Sequence, residues 1–402
     1  MRDYGRWRRL LREVELPAAV VDLDALDHNI DAIINAMRAS DVTLRVATKS
    51  LRHVGLIRYV VERGAGRFKG LMTYSARETR FLGERGFDDF LIAYPFARPD
   101  EAAAVAEMVA GAKTVRVMVD SVDQLPLLEA AAAEHQVVMK VCIDIDCSLR
   151  LWGGQAHLGV RRSPIRSVEA ALLLARAIAD TPGLQLDALM AYEAQVAGIQ
   201  DSSRTQAYLD PLKRLIKRKS LPLIRQRRQA ISEALANDGF ELTLFNGGGT
   251  GSLAWTSRDP SVTEVTAGSG FLCPHIFDGY RDLPLKPAAF FALAMVRRSD
   301  ADHVTCAGGG YIASGPPGKD RLPLVHLPTG LTPLFDLEGF GEVQTPFKVA
   351  SGAPHLALGD PVICRHAKAG ELAERFERYH WIRGDEIVTT EPTYRGMGAS
   401  FL

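Results

Sequence analysis

Eight short runs of apolar and β-branched residues recur between positions 43 and 266, and this alternation with helical stretches constrains the fold more than any other feature. The runs occupy 43–48, 68–73, 89–94, 114–119, 137–144, 186–191, 241–245 and 262–266. Between them, apolar residues return at a spacing near 3.6 over 76–86, 100–109, 124–135, 167–179 and 211–235, several of these opened by Ser, Asp or Pro as helix starts require. A doubly wound open sheet would produce the same alternation. Eight repeats, however, fill the roughly 250 residues usual for a closed barrel, so the fold class is α/β, a (β/α)8 TIM-type barrel.

After position 280 the texture changes to clustered Pro and Gly with short strand-like runs at 290–296 and 361–364. A second, β-rich domain is expected there. The apolar run 17–23, followed by a helix-like 24–37, precedes the first barrel strand and is expected to join the second domain's sheet. The division is then 24–280 for the barrel and 1–23 plus 281–402 for the β-rich domain.

Composition narrows the class of ligand. With 47% hydrophobic and 24% charged residues the chain can bury a core, which excludes disordered and collagen-like readings. Forty-eight basic residues against forty-eight acidic ones leave no global field for nucleic acid or an anionic membrane, so a small molecule is the expected partner. Five cysteines without a C-x-x-C pair point to neither a disulfide framework nor a zinc knuckle, and a reducing cytoplasm is the expected compartment. No run approaches eighteen apolar residues, and the arginine-rich start lacks the apolar core of an export signal, so neither membrane nor export is expected. The basic stretches 213–219 and 225–228 are interrupted by apolar residues at helical spacing and read as a solvated helix face.

The strongest chemical signal is Asn246-Gly247-Gly248-Gly249-Thr250-Gly251-Ser252, directly after the seventh run. Missing Cβ atoms let backbone N–H groups converge on phosphate oxygens, and Thr250 and Ser252 add hydroxyls. The loop has neither the Lys of a Walker loop nor dinucleotide-fingerprint spacing, and a tight turn would explain it equally well. Its position decides for phosphate, because barrel phosphate sites lie in the loops after strands seven and eight. Lys49 closes the first run, where a strand-end lysine overlooks the barrel mouth and Arg45 or Arg52 would lower its pKa toward an amine nucleophile. Lysine and phosphate loop on one rim point to pyridoxal 5'-phosphate held through its aldehyde. Arg150 offers a cation near a phenolate or carboxylate, or else pairs with Asp144 or Asp146. Tyr192 and Gln195 offer cofactor contacts, or else ordinary loop polarity.

These residues, with 16–29, Glu264, the Gly268-Ser-Gly turn and Phe277-Asp-Gly-Tyr280, resemble the alanine-racemase-type barrel enzymes. The branch resembled is that of the D-threonine aldolases and D-serine dehydratases, especially the bacterial amino acid deaminase/aldolase group. The resemblance spans nearly the whole chain. It implies pyridoxal phosphate on Lys49, phosphate in the 247–252 loop, a homodimer, and a lyase acting on a β-hydroxy amino acid of D configuration by retro-aldol cleavage or dehydration. Racemisation and non-catalytic cofactor carriage are the alternatives.

One departure from that pattern concerns a metal. In the aldolases and dehydratases a histidine near the carboxyl terminus is followed, two positions on, by an Asp or Cys ligand; here His366 is followed by Lys368. An ammonium repels a divalent cation and brings its own positive charge, so no metal is assigned, and His366 and Lys368 join Lys49 as candidate catalytic residues.

Overall fold

The structure, a computed structural model, describes residues 2–401 apart from 65, 204–206, 316–317 and 335–337. All eight runs form strands, and each pairs in parallel with its neighbours to close an eight-stranded barrel. They are Thr43–Ala47, Phe68–Thr73, Phe90–Ile92, Val115–Val119, Met139–Asp144, Leu184–Ala191, Leu244–Gly247 and Glu264–Ala267. The seventh lies further along than its sequence suggests, because Asn246 pairs with Glu264 and Gly247 with Val265. Helix starts follow local chemistry. Ser75 caps Ala76–Gly83 by accepting the Glu78 amide at 3.2 Å, Ser167 caps Val168–Asp180 through the Ala170 amide at 3.2 Å, and Pro99 opens Pro99–Ala110.

Strand alternation fills the barrel in layers. Near the amino ends of the strands lie ion pairs: Arg45 with Glu264 at 2.7 Å and with Asp89 at 3.1 Å, and Arg116 with Asp89 at 2.7 Å and with Asp187. Above them Leu91, Met118, Cys142, Ala188, Met190 and Leu244 form a separate apolar cluster. At or just beyond the carboxyl ends of their strands come Lys49, Asp120, Asp144, Tyr192, Gly248 and Gly268, the layer at the mouth.

Of the remaining strands among the described residues, nine form a second sheet and two a short hairpin. Ala18–Asp22 lies inside the second sheet, antiparallel to Ala289–Asp300 and parallel to Arg378–Arg383. Pro361–Arg365 pairs with the other side of Ala289–Asp300. The short strands His303–Ala307, Gln344–Val349 and Glu386–Pro392 were not evident in the sequence. The arginine-rich start is the helix Arg2–Leu10, which buries Trp7 and Leu10 against Val20, Phe290 and Ile363 and pairs Arg8 with Asp360 at 2.8 Å.

The basic stretch needs one correction. Within the helix Asp210–Asn237, Arg228 is fully buried and pairs with Glu193 and, at 3.1 Å, with Asp259, so the end of the stretch turns inward. All five cysteines are buried and unpaired. Among the described residues no helix is long and apolar enough to cross a membrane.

Candidate active site

Lys49 sits in a single turn, Thr48–Ser50, that caps the first barrel strand. Its ammonium donates to the Tyr94 hydroxyl at 2.7 Å and stands 5.4 Å from the centre of that ring. Arg162, from the long loop after the fifth strand, also lies over this ring, 5.5 Å from its centre. Burial alone would raise the pKa of the Tyr94 phenol, but the two cations outweigh it and bring the value below the usual one. Asp144, ending the fifth strand, is driven the other way: burial first, then the charge of Asp120, raise it to about 7.

The two arginines expected beside Lys49 have other partners. Arg45 lies in the ionic layer with Glu264 and Asp89, and Arg52 pairs with Glu374 at 2.8 Å while covering the Tyr74 ring at 5.6 Å. The groups that meet the Lys49 amine and its phenol are Tyr94 and Arg162, neither of which sequence reasoning selected. Tyr94 does end the third apolar run, and that strand-end position was a readable signal.

The glycine loop is held from behind by one residue. Glu193, fully buried, accepts the Gly248 amide at 3.1 Å, the Ser252 hydroxyl at 2.7 Å and the Thr256 hydroxyl, and pairs with Arg228. Asn246 is engaged at both ends of its amide, donating to Glu264 at 2.7 Å and accepting from Thr266 at 3.0 Å. Of the expected phosphate ligands, Asn246, Gly248 and Ser252 therefore spend their polar groups on the protein, and Gly247 is a strand residue. The Gly249 amide donates to Ser252 Oγ at 3.2 Å, which leaves the Thr250 hydroxyl and the Thr250 and Gly251 amides as the groups of this loop not tied to Glu193, Ser252 or the strand.

Close packing carries this rim to Lys49. The Gly270 amide donates to Thr250 Oγ1 at 3.2 Å, joining the loops after strands seven and eight. A Cβ on Gly268 would lie 2.6 Å from Ser50 Oγ, and Ser50 and Ser269 share a hydrogen bond at 3.2 Å. A Cβ on Gly251 would collide with the Tyr280 ring and the Ala197 carbonyl.

Arg150 takes the alternative left open by its sequence: it pairs with Asp146 at 2.8 Å on the hairpin Leu149–Leu151 and Ala156–Leu158. The cation at the mouth is Arg162 instead. Tyr192 stays at the mouth, its phenol pushed up to about 12, first by burial and then by Glu193. The Gln195 side chain donates to the Cys147 carbonyl at 2.6 Å, and its own carbonyl oxygen is buried without a partner among the described residues.

The β-rich region supplies the other wall. Gly370, at φ 79°, lies so close to the Lys49 carbonyl that no Cβ would fit, and this contact sets the 366–370 turn over the mouth. His366 is buried, both ring nitrogens lack a partner among the described residues, and burial followed by the Arg365 charge lowers its pKa to about 3. Lys368 donates to Ser314 Oγ at 2.9 Å and stands 3.5 Å from Glu371. His366, Lys368, Glu371, Tyr311 and Arg375 line one small cavity.

The residues fit pyridoxal phosphate. A lysine amine and a loop of amides too crowded to admit side chains share the barrel rim, with the unsatisfied Gln195 oxygen following the sixth strand. They do not fit a divalent ion at His366, because the group two positions on is an ammonium already shared with Ser314 and Glu371.

Comparison with known proteins agrees with this fold. Residues 21–253 match the family model of the alanine racemase N-terminal domain. The chain is 25% identical over 257 residues to the 3-hydroxy-D-aspartate aldolase of Paracoccus denitrificans strain Pd 1222, an alignment covering 64% of this chain and 60% of that protein. It is 25% identical over 260 residues to the D-threo-3-hydroxyaspartate dehydratase of Delftia sp. strain HT23, covering 64% and 61%. The chain thus spans about 60% of the length of these curated relatives. Among solved structures, the D-threonine aldolase of Filomicrobium marinum superposes with a TM-score of 0.77 at 19% identity, over 96% of each chain.

Proposed function

Because this chain belongs to the alanine racemase N-terminal domain family, we propose that it is a pyridoxal-phosphate-dependent lyase that cleaves or dehydrates a D-configured β-hydroxy amino acid. The observation that carries this reading is the Lys49 amine at the carboxyl end of the first barrel strand, on the same rim as the glycine loop after the seventh. The reading extends to the division 24–280 and 1–23 plus 281–402, supported by the strand pairing of Ala18–Asp22. A homodimer in a reducing cytoplasm is also part of it, supported by the family resemblance and by the five unpaired cysteines.

When bound, the cofactor supplies an electron sink for charge that develops at the substrate's α-carbon. Lys49 would hold its aldehyde and, once displaced by the substrate amine, stand free as a base. The Thr250 hydroxyl and the Thr250 and Gly251 amides would hold the phosphate, with Tyr192 and Gln195 beside the ring. His366, kept neutral by burial, donates from one nitrogen and accepts at the other, which suits it to orient the β-hydroxyl. It becomes a proton acceptor only as negative charge develops beside it. Lys368 supplies a fixed positive charge toward the β-oxygen or the carboxylate. The relatives named for hydroxyaspartate support the class of substrate.

The test is a screen of both enantiomers of serine, threonine, 3-phenylserine and 3-hydroxyaspartate, with aldehyde or glyoxylate, ammonia and keto acid assayed. Product from D substrates alone is the expected result. Loss of stereochemistry at the α-carbon with no cleavage would move the reading to racemisation. No turnover with cofactor bound would move it to carriage.

A further inference from the structure

From the 2.7 Å contact between Lys49 Nζ and the Tyr94 hydroxyl we infer that Tyr94 is the acid–base partner of Lys49, taking the proton that the ammonium must shed before the amine can react with an aldehyde. The inference rests on the reading of Lys49 as the cofactor lysine.

An ammonium has no lone pair and cannot attack a carbonyl carbon, so uptake of any aldehyde begins with loss of one proton from Nζ. In water that proton leaves to solvent at a cost set by the ordinary lysine pKa, about 10.4. Here an oxygen already receives the N–H. As the N–H bond breaks, its electron pair stays on Nζ and the proton joins the Tyr94 oxygen. Ammonium plus phenolate becomes amine plus phenol, with no change in net charge. The exchange is reversible across the same contact, so the proton returns when the amine is displaced.

Three features suit Tyr94 to this. The Arg162 guanidinium, 5.5 Å from the ring centre, is a second positive charge that stabilises the phenolate. Both cations lower the phenol's pKa despite burial, so more of Tyr94 stands as the phenolate that can accept the proton. The phenol is also half-buried, which limits exchange with bulk water. The other titratable groups around it are Tyr192, from the end of the sixth strand, and Asp144 with Asp120 behind Arg162. Tyr192 is raised by burial and stays a neutral phenol, so it does not compete for the proton. Asp144, also raised by burial, tempers the Arg162 charge only where it is ionised.

The experiment uses the cofactor-free protein, with tyrosines labelled with carbon-13 at the hydroxyl-bearing carbon, and follows their titration by NMR. One tyrosine is expected to titrate below the ordinary value of about 10. Its signal should vanish in Tyr94→Phe and move upward in both Lys49→Met and Arg162→Met. A second arm measures the rate of pyridoxal phosphate uptake at fixed pH. It should fall about a hundredfold in Tyr94→Phe, while affinity for inorganic phosphate stays unchanged. A Tyr94 titration indifferent to Lys49→Met, or uptake by Tyr94→Phe at the wild-type rate, overturns the inference and leaves the cofactor reading standing. A wild-type protein that takes up no cofactor overturns both.

Discussion

Glu193 accepts the amide proton of Gly248 at 3.1 Å from a position with no solvent exposure, so the curvature of the glycine loop depends on a carboxylate two residues past the end of the sixth barrel strand, Leu184–Ala191. The same carboxylate takes the Ser252 and Thr256 hydroxyls and the Arg228 guanidinium. Its loss should therefore disturb both stability and the cofactor rim.

Glu193→Ala strips Arg228 of one of its two buried carboxylate partners and frees the Gly248, Ser252 and Thr256 donors. Breaking a buried pair costs about 3–5 kcal/mol, so the urea midpoint should fall markedly. Glu193→Gln keeps the shape and should cost less while still weakening cofactor retention. An unchanged midpoint in Glu193→Ala would refute the role given to this carboxylate.

Gly251→Ala tests the rim by crowding, since its Cβ would meet the Ala197 carbonyl and a Tyr280 ring whose hydroxyl is itself bonded to Ala197 at 2.9 Å. The backbone must shift. Charge-assisted hydrogen bonds contribute about 1.5–3 kcal/mol each, so losing one or two lowers pyridoxal phosphate affinity about a hundredfold. Fluorescence titration with the cofactor reads this directly, and wild-type affinity would sink the assignment.

Asp144 gives a pH dependence with a defined sign. Burial and Asp120 raise its folded value to about 7, from 3.8 in the unfolded chain. Its protonated form therefore stabilises the fold fully below pH 3.8, and that contribution is lost as pH rises toward 7. Asp144→Asn removes the loss. The stability difference, mutant minus wild type, should climb between pH 4 and 7 in denaturant titrations; a flat difference contradicts the burial argument.

Lys368 predicts the response to chelators. With an ammonium beside His366, activity should survive exhaustive EDTA treatment, whereas Lys368→Asp should lose activity in chelator and recover part of it with zinc or manganese. Activity of the natural enzyme that disappears with chelation and returns with metal would show that residues elsewhere complete a metal site.

The barrel was legible because each strand and its neighbouring helix carry their own periodicity, and Lys49 and the glycine loop because they fall at strand ends. Arg162 and Glu193 gain their roles only when the barrel closes and brings distant strand ends together, and so does the contact of Tyr94, itself readable as a strand-end residue, with Lys49. Arg228 is the instructive miss. It stands in a basic run, yet Ile224, Arg228, Ile231 and Leu235 are spaced as one buried helix stripe, and that phase marked it as inward-facing. Beyond position 280, strands such as Leu331–Pro333 are too short and too broken by Pro and Gly to show alternation.

The central claim, that Lys49 holds pyridoxal phosphate at the barrel mouth, is tested most directly by borohydride reduction of the protein loaded with cofactor, followed by peptide mass mapping. The account predicts a single pyridoxyl-modified peptide carrying Lys49, absent in Lys49→Ala. Modification at another lysine, or stoichiometric labelling of Lys49→Ala, would contradict it.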